Sequence, residues 1–330
     1  MKFSTTTHPT ILVTGGAGFV GSHAAKMLAL EGYRPVVFDN LSMGNRQTIL
    51  DAPFIQGDLS NTKDLDSVFK NFHIQAIMHF AAFIDVGESV ANPAKYYINN
   101  VINTINLLEA MRRHDVKTLI FSSSAAIFGL PLHEKIDENH PCNPINPYGQ
   151  SKLFVEKILQ DYDAAYGIKS SCLRYFNAAG GDPEGKIKNY KRKETNLIPL
   201  ILQSLKQPPE NFITIFGTDY PTPDGTCIRD YIHIEDLGAA HILALKKLFA
   251  DHRSSQYNLG NEQGFSVRQV ITAVERVTNL KVNFINGPRR SGDPAVLVAN
   301  AQKARKELGW TPQFSDLDTM IAHAWKAQQL

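Results

Sequence analysis

The stretch TILVTGGAGFVGSH, residues 10–23, decides the fold because it joins three local signals in a fixed order. Its first five residues are apolar or β-branched and predict a buried strand. Gly15, Gly16, Gly18 and Gly21 follow where the chain must turn sharply, and the remaining residues predict a helix. A strand, a glycine turn and a helix in this order are typical of a parallel α/β sheet.

The spacing of the glycines indicates a dinucleotide site. Gly16, Gly18 and Gly21 satisfy GxGxxG, and Gly15 adds a GxxGxxG pattern. Such a turn lets the backbone approach a pyrophosphate, whose charge is met by free N–H groups at the helix start. A second strand ends at Asp39, whose carboxylate can accept from ribose hydroxyls and would repel a 2′-phosphate. The sequence therefore predicts NAD rather than NADP.

A third strand ends at Asp58 in QGDL. This carboxylate could meet the adenine amino group, or it could cap a helix that begins near Asn61. The sequence leaves both interpretations open.

Strand-like runs alternate with amphipathic segments along the chain, which requires crossovers between parallel strands. We predict a doubly wound, Rossmann-like parallel sheet with a smaller α/β substrate-binding lobe. The composition changes after Asn177 to glycine-rich, basic and proline-rich segments. We therefore expect an NAD-binding domain at residues 1–177 and 231–260, and a substrate-binding domain at residues 178–230 and 261–330.

The composition excludes several classes of partner. A net charge of +2 favours no nucleic acid, and no apolar run is long enough to span a membrane. The opening MKFSTTTHPT lacks the apolar core of a leader, so we expect a cytoplasmic protein. Cys142, Cys172 and Cys227 form no CxxC pair, and we expect no disulfide and no metal. The basic run KIKNYKRK, residues 186–193, indicates a solvated loop.

A second stretch, NPYGQSKLFVEK at residues 146–157, carries the candidate reacting groups. Tyr148 and Lys152 lie four positions apart at the expected start of a helix, about 6 Å apart along its axis. A nearby ammonium favours the phenolate, so the tyrosine could act as a base. Ser124 ends a strand whose carboxyl end faces the same crevice, and its hydroxyl could bind the reacting oxygen.

Together these motifs resemble the extended short-chain dehydrogenase/reductase family, and within it the 4-epimerases of UDP-glucose. The resemblance runs from Ile11 to about Trp325. It is carried by TGGAGFVGSH, DNLSMGN, GDL, MHFAAFIDVGESV, NNVINT, FSSSAAIFG, NPYGQSK, LRYFNAAG, PTPDGTCIRDYIH, YNLG and RRSGDPA.

The resemblance implies an isomerase of galactose metabolism that uses NAD to interconvert UDP-glucose and UDP-galactose through a transient 4-keto sugar. Tyr148 would be the base, Lys152 its partner and ligand of the nicotinamide ribose, and Ser124 the assisting hydroxyl. Positions that match NAD contacts are Gly15, Gly18, Phe19, Val20, Gly21, Asp39, Asn40, Asp58, Leu59, Phe80, Ala81, Asn99 and Phe176. Positions that match sugar-nucleotide contacts are Asn177, Asn196, Leu197, Thr214, Ile215, Phe216, Arg229, Arg290, Asp293 and Leu297.

Among these positions, Arg229 and Arg290 could bind a pyrophosphate, and Asp293 the uridine ribose. Two residues depart from the family pattern. Ile84 replaces a lysine that reaches the NAD ribose in many relatives. Leu297 is intermediate between the bulky tyrosine that excludes N-acetylated sugars and the small residues that admit them.

The alternative functions that the sequence allows share this Rossmann-like fold. UDP-GlcNAc and UDP-GalNAc stay open as substrates because of Leu297. A nucleotide-sugar 4,6-dehydratase would need an Asp-Glu pair where this chain has Ala125-Ala126. A non-catalytic NAD-binding module would not need Tyr148 and Lys152. The resemblance also implies a homodimer, in which YYINNVINTINLLEAMRRH and the helix after Tyr148 pair with those of a partner in a four-helix bundle.

Overall fold

The computed structural model describes residues 8–188, 196–206, 212–290 and 292–329. Lys191, Arg192 and Lys193 of the basic run lie outside these residues, as does most of the opening segment. Within the described part of the chain, no helix has both the length and the apolar character that a bilayer crossing requires.

The strands are short and most of them are buried. They are β1 (Thr10–Thr14), β2 (Arg34–Asp39), β3 (Phe54–Gln56), β4 (Ile74–His79), β5 (Thr118–Ser124), β6 (Lys169–Tyr175), β7 (Asn177–Ala179), β8 (Ile213–Phe216), β9 (Ile228–His233), β10 (Ser255–Leu259), β11 (Gly264–Ser266), β12 (Phe284–Gly287) and β13 (Val296–Leu297).

The α-helices are α1 (Phe19–Leu30), α2 (Thr62–Asn71), α3 (Val86–Ala91), α4 (Pro93–Tyr96), α5 (Asn103–Arg113), α6 (Pro147–Tyr166), α7 (Leu197–Ser204), α8 (Ile234–Asp251), α9 (Val267–Thr278), α10 (Gln302–Leu308) and α11 (Leu317–Gln329). A π-helical segment, Tyr97–Ile102, joins α4 to α5, and a 3₁₀ turn, Ala125–Ile127, follows β5.

Seven parallel strands form the large sheet, in the order β10-β6-β5-β4-β1-β2-β3. One apolar core packs α1 and α8 against the sheet, and a second packs α2, α5 and α6 against it. The prediction of a Rossmann-like α/β sheet is confirmed. The strand order reverses between β1 and β4, where the carboxyl ends leave a crevice.

A second region is built around β9. This strand pairs with β7, β11 and β13, and β8 pairs with β12 in a separate two-stranded sheet. A third apolar core lies under α7, α9 and α11. The predicted division into two domains at the residue boundaries given above stays a prediction.

A buried cluster of charges ties α1 to the loop after β7. The ammonium of Lys26 lies 2.7 Å from a carboxylate oxygen of Asp182 and 3.4 Å from one of Glu235 on α8. Asp182 is fully buried and also accepts from the backbone N–H groups of Lys186 and Ile187. The cluster therefore fixes the start of this loop.

Candidate active site

The glycine turn after β1 is fixed by two close approaches of backbone to backbone. Gly15 has a φ of 72°, and its N–H donates to the carbonyl of Phe38 at 2.9 Å. A Cβ on Gly15 would lie 2.5 Å from the nitrogen of Ala81, and one on Gly21 would lie 2.3 Å from the oxygen of Gly15. Neither position has room for a side chain, so both glycines are required.

The groups around this turn fit a dinucleotide. Gly18 precedes α1 without a side-chain cap, which leaves the helix start with N–H groups that suit an anion. The Asp39 carboxylate accepts from the N–H groups of Ala17 at 3.0 Å and Leu41 at 2.8 Å. Burial raises the pKa of Asp39, and these two bonds lower it. An anion site beside a fixed carboxylate matches a pyrophosphate and a ribose.

Asp58 does not cap the helix that follows it. Asn61 caps α2 by accepting from the N–H of Lys63 at 3.1 Å. Asp58 instead accepts from the Asn40 amide at 2.7 Å and from the N–H of Ser60 at 2.8 Å. The capping interpretation is therefore wrong, and the adenine interpretation stays a prediction.

The other predicted NAD positions come from the start of α1 and from connections between elements of the large sheet. Phe19 and Val20 open α1, Phe80 and Ala81 follow β4, and Leu59, Asn99 and Phe176 lie in the connections after β3, α4 and β6. The sequence did not single out Asn100. Its buried amide exchanges two hydrogen bonds with the backbone of Phe83 and donates to the Ser151 hydroxyl at 3.0 Å. Neighbouring asparagines give no sign of which one faces inward.

Ser124 and Tyr148 meet at the end of β5. Asn146 caps α6 by accepting from the N–H of Gly149 at 2.8 Å, which places Tyr148 in the first turn. A Cβ on Gly149 would lie 2.3 Å from the oxygen of Ala126, so α6 begins close against the loop after β5. The hydroxyl of Ser124 lies near enough to the phenol of Tyr148 to lower its pKa; the roles predicted for these two side chains stay a prediction.

Lys152 lies one turn further along α6 and is 3% exposed. Its ammonium donates to the backbone carbonyl of Ser122 at 2.8 Å and lies 4.9 Å from the ring centre of Phe121. The sequence did not identify Ser122 as the anchor, because a backbone acceptor leaves no mark on residue type.

One electrostatic prediction was wrong. Lys152 was expected to lower the pKa of the Tyr148 phenol, whereas burial raises that pKa and the Ser124 hydrogen bond only opposes the rise. Burial also lowers the pKa of Lys152 to about 7, against the charge of Glu156. Loss of hydration is the larger effect for both groups, with Lys152 buried and Tyr148 partly buried.

The predicted sugar-nucleotide positions come from several elements of the second region. Asn177 opens β7 and donates to the carbonyl of Asp230 at 2.8 Å, while Asn196 precedes α7 and Leu197 begins it. Thr214, Ile215 and Phe216 form most of β8. The guanidinium of Arg290 lies 3.9 Å from the ring centre of Phe216.

Arg229 is bound differently from the expectation. Its Nη1 donates to the carbonyls of Ile228 and Pro294 at 2.8 Å each, and its Nη2 donates to Asp293 at 3.0 Å. These bonds use three of the five N–H groups of a guanidinium. The residues expected to bind phosphate and ribose separately are therefore joined as an ion pair, because β13 brings the segment after Asp293 beside β9.

Residues 11–260 match the NAD dependent epimerase/dehydratase family. The chain belongs to this family. The UDP-glucose 4-epimerase of Halalkalibacterium halodurans is 48% identical over 315 residues, which cover 96% of this chain and 94% of that protein. The motif-based recognition is confirmed.

Two solved structures support the same family. The UDP-glucose 4-epimerase from Brucella ovis in complex with NAD has a TM-score of 0.93 and 44% identity, and covers 96% of this chain and 97% of that chain. The UDP-glucose 4-epimerase from Bifidobacterium longum in complex with NAD+ and UDP has a TM-score of 0.90 and 36% identity. The match covers 97% of this chain and 98% of that chain.

The two departures from the pattern of this epimerase/dehydratase family differ in their surroundings. Ile84 is 49% exposed in the loop after β4. Leu297 is partly buried, lies beside Arg229 in the pairing of β13 with β9, and packs on a small cluster that includes Ala125, Phe128 and Phe176. Leu297 therefore joins the end of β5 to the second region.

Gly21→Ala tests the close approach at the glycine turn. We expect it to lower the free energy of unfolding by about 1–3 kcal/mol and to weaken NAD binding, because the new Cβ meets backbone that cannot move aside. Urea unfolding and a fluorescence titration with NAD measure the two effects. Gly87→Ala in α3 is the control, since its Cβ would meet only a side-chain oxygen at 3.4 Å. Equal behaviour of the two variants would contradict the argument.

Proposed function

We propose that the chain interconverts UDP-glucose and UDP-galactose with NAD as its cofactor, through a transient 4-keto sugar. The observation that carries the proposal is the placement of Ser124 at the end of β5 beside Tyr148 in the first turn of α6, with Lys152 buried one turn behind it and bonded to the carbonyl of Ser122. Ser124 ends β5 and the glycine turn follows β1, so the pair and the turn lie at the same edge of the parallel sheet. Relatives at 48% and 44% identity that are UDP-glucose 4-epimerases support the choice of reaction.

Tyr148 acts as the base that takes the proton of the 4′-hydroxyl and later returns it. Ser124 binds the reacting oxygen and holds it beside the phenol. Lys152 supplies a positive charge under this pair and a ligand for the nicotinamide ribose. A dinucleotide held by the glycine turn and Asp39 would supply a hydride acceptor for C4 of the sugar and the donor that returns the hydride.

Inversion requires that the UDP moiety be bound firmly and the hexose loosely, so that the keto sugar can present its other face. Arg290 and the pair of Arg229 with Asp293 provide charge and hydrogen bonds for the nucleotide. Leu297 and Phe216 provide an apolar surface that gives the hexose few polar contacts. This division of binding favours turnover over tight binding of either sugar.

The positions that would carry the catalytic groups of a rival reaction hold other residues. The 3₁₀ turn after Ser124 carries Ala125 and Ala126, so a 4,6-dehydratase would have no acid and base there. A binding module without catalysis would not require a buried lysine beside a tyrosine.

Tyr148→Phe tests the role of the phenol. We expect kcat to fall by about 10²–10⁴-fold, the range typical of a lost acid–base group. The assay supplies UDP-galactose and couples the UDP-glucose formed to UDP-glucose dehydrogenase. Tyr162 is also on α6, and its phenol donates to Glu109 of α5. Tyr162→Phe removes that phenol and should keep wild-type activity. Full activity of Tyr148→Phe, or no turnover by wild type, would overturn the proposal.

Substitutions of Leu297 test which sugar the pocket accepts. We expect Leu297→Ser to raise turnover of UDP-GalNAc relative to UDP-galactose, and Leu297→Tyr to lower it, each by about tenfold, as pocket volume changes. Val296→Ser is the control, because neighbouring strand residues face opposite sides. An unchanged ratio in both Leu297 variants would exclude this residue as a determinant.

We also propose a homodimer through the π-helical segment, α5 and α6. Ile98 and Ile102 are 54% and 51% exposed, and Phe154 on α6 is 40% exposed. The ring of Phe154 lies 5.9 Å from that of Tyr97, so these side chains form one apolar face. Two copies of such a face would pair as a four-helix bundle.

Ile98→Glu with Ile102→Glu tests the dimer. We expect the double variant to sediment as a monomer while wild type sediments as a dimer, because buried unpaired carboxylates would oppose association. Leu30→Glu on α1, where Leu30 is 72% exposed, should leave the dimer intact. A monomeric wild type would contradict the proposal. The cytoplasmic location and the role in galactose metabolism stay predictions from the sequence.

A further inference from the structure

A second buried charge lies one helical turn beyond Lys152. Lys152 is 3% exposed and Glu156 is 2% exposed. If Lys152 is position i of α6, Glu156 is i+4 and Tyr148 is i−4. Residues at this spacing lie on one face of a helix. Acidic groups are rarely buried so completely unless they are paired.

Glu156 is held by two neighbouring strands of the large sheet, β5 and β6. Its Oε2 accepts from Nη2 of Arg174 on β6 at 2.6 Å, and its Oε1 accepts from Nε of Arg174 at 3.0 Å. The hydroxyl of Ser123 on β5 donates to Oε1 at 2.5 Å. Arg174 also donates to the carbonyl of Glu138 at 3.4 Å. These bonds fix the rotation of α6 over the ends of β5 and β6.

The charged groups linked to Lys152 come from three elements. The charge of Lys152 acts on His79 of β4, the charge of Glu156 of α6 acts on Lys152, and Arg174 of β6 is paired with Glu156. Tyr148 lies one turn before Lys152 on α6, and Tyr175 follows Arg174 on β6. His79 stays neutral because burial lowers its pKa to about 3, and burial raises the pKa of both tyrosines. Glu156 is therefore the anion of this group, and its charge raises the pKa of Lys152 against the effect of burial.

We propose that Glu156 is a positioning residue for the epimerisation: clamped by Arg174 and Ser123, its carboxylate holds α6 against β5 and β6 and places a negative charge one helical turn behind the ammonium of Lys152. The inference rests on the proposed function for its catalytic consequence. The electrostatic part concerns the folded chain alone.

Two substitutions separate charge from shape. Glu156→Gln keeps the length of the side chain and removes its charge, whereas Glu156→Asp keeps the charge and shortens the reach to Arg174. A carboxylate that acts on Lys152 through its charge predicts that Gln shifts the titration of Lys152 and Asp leaves it near wild type. A role in packing alone predicts that Asp is the more damaging change.

The titration is followed by NMR on full-length protein labelled with ¹³C-lysine. The Cε resonance of Lys152 is identified by its loss in Lys152→Met. In Glu156→Gln we expect the midpoint to fall by about one pH unit, because the ammonium loses a nearby negative charge. Asp182→Asn is the matched control: it breaks the buried pair with Lys26 and should lower the melting temperature without moving the Lys152 midpoint.

Kinetics provide the second readout. At pH 8, kcat of Glu156→Gln with UDP-galactose should be about tenfold below that of wild type, since a one-unit shift leaves about tenfold less ammonium. KM should stay unchanged because Glu156 is bonded to Arg174 and Ser123, away from the sugar-nucleotide positions.

The outcomes are distinct. An unmoved midpoint in Glu156→Gln, or an equal shift in Glu156→Asp, overturns the inference. If Glu156→Gln does not fold, Glu156→Gln with Arg174→Gln is compared with Arg174→Gln alone, and a midpoint that is not lower in the double variant then overturns the inference. If wild type turns over neither UDP-sugar, the proposed function fails, while the titration still decides whether Glu156 controls the charge of Lys152.

Discussion

A lysine ammonium removed from water has to be compensated where it lies, and this requirement governs the centre of the molecule. Burying such a group costs several kcal/mol unless protein groups replace its hydration. For Lys152 the replacement comes from one strand, as the carbonyl of Ser122 and the ring of Phe121. Helix α6 must therefore cross β5 at this level. Tyr148, one turn nearer the helix start, then falls beside Ser124.

Three consecutive serines at the end of β5 have different tasks because each offers a different atom. Ser122 provides a backbone oxygen to Lys152, and Ser123 provides a hydroxyl to Glu156. The hydroxyl of Ser124 lies near enough to Tyr148 to lower the pKa of its phenol. Successive side chains of a strand point to opposite faces, so a slip of one residue would exchange these contacts. The parallel pairing of all seven residues of β5 with β6 holds this register.

The features that sequence predicts well are local ones. Gly15 and Gly21 follow from the turn they must make, and the spacing of Tyr148 and Lys152 follows from helix geometry. The features it missed depend on contacts between distant segments. The pair of Arg229 with Asp293 arises only when β13 lies beside β9. The pKa of Tyr148 depends on how completely the protein surrounds it, which no residue pattern reports.

The pairing of β9 also determines the order in which the chain can become complete. This strand takes its neighbours from β7, β11 and β13, so segments before and far after it in the chain are needed together. Because synthesis proceeds from the N-terminus, the turn that faces the dinucleotide has emerged long before the last neighbour of β9. Leu297 belongs to that last neighbour. The surface proposed to choose the sugar is therefore the last part of the crevice to assemble.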